Sequence, residues 1–163
     1  MVLVLKLLLL AVLSFIAYQD FKERMVFLFL FPCFAILGGY LYFDTTFTLV
    51  FFYNVLINLF FIAIVLLFCF LYSKIVLKKK FTKEVMGLGD ILFFVGFAIS
   101  FPVISFLTLF VFSIIFTTII YFLSNKIFDN RFKNVPLAGC MAVFLISVYL
   151  LNWSGFYNAL YTI

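Results

Sequence analysis

From Ile91 to Leu123 the chain runs about 33 residues without a charged side chain. Runs of about 20 apolar residues are read as membrane-spanning helices, and similar runs fill most of this sequence. Runs this long and unbroken, without alternating polar residues, point to helices. The sequence therefore predicts an all-α polytopic membrane protein. Its 163 residues are 69% apolar and only 10% charged, against about a quarter charged in soluble domains. No stretch is polar enough for a separate soluble domain, so residues 1–163 are expected to form one transmembrane unit.

Six spans fit the punctuation. The first covers residues 2–19. Lys6 ahead of "LLLLAVLSFIA" also resembles a signal peptide, but Asp20 falls where a span would end and the next apolar segment follows closely. The second runs from Val26 to Phe43 and contains Pro32, Gly38 and Gly39; the third runs from Phe47 to Tyr72. Asn54 and Asn58, four apart, share a helix face, where a hydrogen bond between helices is the expected role. The 33-residue run would make one helix near 50 Å long at 1.5 Å per residue, too long for a hydrocarbon core of about 30 Å. A turn at "SFP" (Ser100–Pro102) divides it. The fourth helix then starts near Lys83 and measures about 28 Å to Phe101. The last span runs from Pro136 to Leu151, with Trp153 and Tyr157 suited to the interface.

The net charge is +5. With six spans, the loops at 20–25, 73–84 and 124–135 share one side and hold ten of the eleven basic residues. Cytoplasmic loops collect Lys and Arg, so that side is expected to be cytoplasmic and both termini outside, with Lys6 the one dissenter. Topology and anionic lipid account for the lysines at 78–80; no nucleic-acid partner is expected.

Histidine is absent. That excludes Ser-His and Cys-His hydrolases and H-E-x-x-H metalloproteases. Cys33, Cys69 and Cys140 make no CxxC pair, so no metal is expected and no cofactor is implied. Acid–base chemistry would have to come from carboxylates, lysine or tyrosine. Of the six acidic residues, Asp44 lies on the outer side, and Glu23, Glu84 and Asp129 sit in loops with basic neighbours. Asp20 and Asp90 stand at the cytoplasmic ends of the first and fourth spans. Arg24, four residues on, offers Asp20 an interfacial ion pair, although a carboxylate at a helix C-terminus opposes the dipole. Asp90 follows Gly87-Leu88-Gly89, about 10 Å along a helix begun at Lys83. Acids within spans face protein or water and mark functional sites. Glycines there let another backbone come close and permit unusual φ values, or serve helix packing. Two aspartates on one face suggest a dyad that shares a proton.

Three segments resemble the type IV prepilin peptidases and preflagellin peptidases, membrane aspartyl proteases of the GxGD type: "AYQDFKERMV" (Ala17–Val26), "KEVMGLGD" (Lys83–Asp90) and "NVPLAGCMA" (Asn134–Ala142). The resemblance implies cleavage of pilin-like precursors between a short basic leader and the apolar segment after it, at the cytoplasmic face of a prokaryotic inner membrane. By it, Asp20 and Asp90 would be catalytic, and Glu84, Gly87, Gly89, Pro136 and Gly139 would shape the site. Val26-Phe27 stands where many members have Ile-Pro, and Leu92 where many have lysine. The cysteine-bearing cytoplasmic insertion of bifunctional members is absent, so peptidase activity alone is expected. Presenilin-like proteases also use GxGD but are larger and keep their catalytic helices adjacent. A small transporter or channel subunit with Asp20 and Asp90 as ion ligands, or an inactive assembly factor, is the reading from another class.

Overall fold

In the computed structural model the described residues are 2–77, 87–127, 136–156 and 160–161. Among them the chain is all-helical. The helices are α1 (Val2–Glu23), α2 (Leu30–Phe43), α3 (Thr48–Tyr72), α4 (Leu88–Ile99), α5 (Val103–Ile127) and α6 (Leu137–Trp153); a π turn, Ser73–Leu77, prolongs α3. Three helical stretches, Val2–Glu23, Thr48–Ile75 and Val103–Ser124, are long and apolar enough to cross a membrane, while α2, α4 and α6 are apolar but shorter.

The helices pack as two rows. α1, α6 and α5 lie side by side in one, α2, α4 and α3 in the other; α1 meets α2, α6 meets α4 and α5 meets α3 across the rows. In a bilayer, where lipid is as apolar as leucine, close packing and hydrogen bonds rather than apolar burial hold helices together. Glycines supply the close packing between α2 and α4. A side chain on Gly38 would overlap Ser100, one on Gly39 would come within 2.8 Å of Ile99 Cγ2, and one on Gly96 within 2.7 Å of Phe34. Rings fill the middle. Phe34 stacks on Phe93 at 5.2 Å, and Phe97 meets Phe101, Phe106 and Phe110 edge-on.

Two starts differ from the sequence expectation. α2 begins at Leu30, not Val26, which puts Pro32 in the first turn, where its missing N–H is harmless. Residues 25–27 are non-helical instead, and Gln19 Oε1 accepts the Phe27 N–H at 3.1 Å. α4 begins at Leu88, not Lys83, because Gly87 is extended (φ −69°, ψ 151°). Its 12 residues measure about 18 Å rather than 28 Å, and Asp90 is its third residue rather than 10 Å along it. α1 in turn continues past residue 19 to Glu23, so Asp20 lies inside the helix rather than beginning a loop.

The turn at Ser100–Pro102 is buried, so carbonyls at the end of α4 and in the turn, those of Ala98 and Phe101 among them, need partners within the protein. Asn58 of α3 provides them: its Nδ2 donates to Ala98 O at 2.9 Å and Phe101 O at 2.8 Å. Asn54 donates to Tyr42 Oη of α2 at 2.5 Å. Both asparagines thus bond between helices, as their spacing suggested. At this end of the bundle Tyr161 stacks on Tyr42 and Phe101, and Lys6 lies over the Trp153 ring at 5.1 Å. That contact gives the dissenting lysine a partner.

Candidate active site

The buried residues of α1 are Leu9, Leu13, Ile16, Ala17 and Asp20. Their spacing of three and four defines one stripe, and Asp20 is its last member, only 9% exposed. The stripe packs on α6, which runs antiparallel to α1: Asp20 meets the start of α6 while Lys6 meets its end. A carboxylate in the last turn of α1 opposes that helix's own dipole. The first turn of α6 reverses the balance, because helix N-termini carry partial positive charge and amides without intrahelical partners.

Those amides hold both aspartates. Pro136 is the N-cap of α6, so Leu137, Ala138 and Gly139 are its first three residues. The Gly139 N–H donates to Asp20 Oδ2 at 2.6 Å. The Ala138 N–H donates to Asp90 Oδ1 at 3.2 Å. Consecutive residues of a helix rise only 1.5 Å, so acceptors on neighbouring amides are held side by side. The Asp20 charge acts on Asp90.

Asp90 is anchored twice. As the third residue of α4 it accepts the Gly87 N–H on Oδ2 at 3.3 Å, one arm of a capping box; glycine has no side chain to supply the other. The acid also suits the α4 N-terminus electrostatically. Arg24 lies just past α1 with φ 54°, a left-handed position glycine usually takes at a helix end, and its charge acts on Asp20.

The glycines divide by role. A Cβ on Gly139 would stand 3.0 Å from Asp20 Oδ2 and 3.1 Å from Asp20 Cβ; one on Gly89 would stand 3.1 Å from Phe31 Cζ. Gly87 has room, with Asp90 Oδ2 no nearer than 3.5 Å, and its φ of −69° is open to any residue. Close approach therefore explains Gly89 and Gly139, and unusual φ explains none of the three. Of the residues picked from sequence, Asp20, Asp90, Gly87, Gly89, Pro136 and Gly139 converge on this end of the bundle. Glu84 lies outside the described residues, as do Tyr157 and the lysines at 78–80. Asp44 is exposed in the turn after α2, between Phe43 and Thr48.

Sequence reasoning missed Ala138, whose amide seats Asp90, and Phe31, against which Gly89 packs. Proline ahead of an apolar run marks a helix start, so Pro136 already implied free amides at 137–139; nothing said which acids they meet.

Comparison with protein-family models, curated proteins and solved structures finds no match for this chain.

Proposed function

We propose that this protein is a membrane aspartic endopeptidase that removes the short basic leader from pilin-like precursors. The observation that carries the reading is the joint seating of Asp20 and Asp90 on the adjacent Gly139 and Ala138 amides. Two carboxylates held together share one proton. The ionised partner accepts a proton from water as the water oxygen bonds to the scissile carbonyl carbon. The protonated partner gives its proton to the carbonyl oxygen. Collapse of the tetrahedral intermediate re-forms the C=O bond, breaks the C–N bond and passes a proton to the leaving amine. This chemistry asks nothing of histidine, which the chain lacks.

In this reading all six helices cross the inner membrane of a prokaryotic cell, both termini face outward and the aspartate end faces the cytoplasm. The bias of basic residues toward the loops at that end supports the orientation. The precursor's apolar segment approaches through the bilayer. Glu84, Gly87, Gly89 and Pro136 shape its approach, and Gly139 seats one acid.

The test is precursor processing in cells that lack the native enzyme, with each variant's amount checked by blot. The parent protein should process a co-expressed pilin-like precursor. Asp20→Asn and Asp90→Asn should each lose about a thousandfold or more, because general acid–base catalysis contributes on the order of 10²–10⁴-fold and each acid serves more than one step. Full processing by well-expressed Asp90→Asn would end this reading in favour of an ion-ligand or assembly role.

A further inference from the structure

We infer that Gly139 is a positioning residue for the carboxylate pair: its amide fixes Asp20, and its lack of a side chain lets α1 and α6 come close enough for that bond. The effect on cleavage rests on the peptidase reading above; the geometry does not.

Three observations carry it. The Gly139–Asp20 bond, at 2.6 Å, is the shortest of those at the site and is buried. A Cβ at 139 would press on Asp20 at both Oδ2 and Cβ, and would lie 3.5 Å from the Ala17 carbonyl oxygen. The Ala17 contact is an ordinary one, so the crowding falls on Asp20, which would have to give by a few tenths of an ångström. Third, Asp90 hangs on the neighbouring Ala138 amide. Moving Asp20 away from α6 therefore separates the two acids while Asp90 stays in place, held also by Gly87. Gly139 does not supply a proton. It sets where one carboxylate stands relative to the other.

Misplacing reacting groups by about 1 Å can cost about a hundredfold in rate; a shift of a few tenths of an ångström should cost about tenfold. Gly139→Ala should therefore lower kcat about tenfold with KM within about twofold, since substrate binding is untouched. Gly39→Ala, with a clash of 2.8 Å against Ile99 between α2 and α4, is the packing control. It should lower the melting temperature without lowering kcat.

A second readout needs neither cleavage nor a folded Gly139→Ala protein. In ¹H–¹⁵N spectra of the micelle-solubilised chain, the Gly139 amide proton should lie downfield because it bonds to a carboxylate. Asp20→Ala should move it upfield, and Asp90→Ala should do the same to the Ala138 amide. Wild-type kcat in folded Gly139→Ala, or a Gly139 amide unmoved in Asp20→Ala, overturns the inference. If the amide shifts occur but the parent cleaves no precursor, the positioning role stands and the peptidase reading falls.

Discussion

Asp20 and Asp44 are the same side chain in opposite circumstances. Asp44 is exposed in a turn, where water solvates it and a neutral amide would serve as well. Asp20 is buried on the inner stripe of α1 and holds its place through one amide. Asp44→Asn should therefore process precursor like the parent, measured in the same cells and at the same abundance. The double variant Asp20→Asn/Asp90→Asn should be no worse than either single one, because groups acting as one unit do not contribute additively. Multiplying losses in purified protein would show that the two acids work separately. Part of this contrast was legible in the sequence, where the span pattern set Asp44 on the side opposite Asp20 and Asp90; the burial of Asp20 was not. Asp20 with Arg24 four residues on read equally well as a surface ion pair, and only the seat on α6, 119 residues away in sequence, distinguishes the two.

At the scale of elements, the short α4 depends on its neighbours. Asn58→Leu keeps the volume but removes the donor to Ala98 and Phe101. Hydrogen bonds between membrane helices are worth about 0.6–2 kcal/mol, so stability should fall by about 1–2 kcal/mol in mixed-micelle unfolding. An unchanged midpoint would mean that water already satisfies those carbonyls. Gly38→Ala should be more damaging than Gly87→Ala. The first must displace Ser100, and overpacking costs about 1–3 kcal/mol. The second meets only ordinary contacts, Asp90 Oδ2 at 3.5 Å the nearest, and such substitutions stay within about 0.5 kcal/mol. The sequence revealed the elements unevenly, for a physical reason. Long uncharged runs announced α3 and α5, and Pro102 announced the turn between α4 and α5. Where helices are apolar all round, however, hydrophobic periodicity does not say which face turns inward. The inner stripe of α1 and the two-row packing were therefore invisible. The start of α4 was missed because an extended Gly87 leaves no mark that distinguishes it from a helical glycine.

At the scale of the whole molecule, the proposed orientation fixes the side on which each loop lies. Reporter fusions after Lys80 and Lys133 should read cytoplasmic, and a fusion at Thr46 should read external. α3, the 25-residue helix between Thr46 and Lys80, is about 37 Å long, more than the hydrocarbon core. The same side for Thr46 and Lys80 would remove the basis for placing Asp20 and Asp90 at the cytoplasmic face. The Asn58 bonds also bear on how the chain is built. Carbonyls at 98 and 101 can leave water only when a donor is waiting, and chains emerge from the ribosome N-terminus first. Asn58 precedes both acceptors by about forty residues. On the membrane reading proposed above, the donor is thus in place before the turn is made, and synthesis order itself spares the nascent hairpin an unsatisfied backbone.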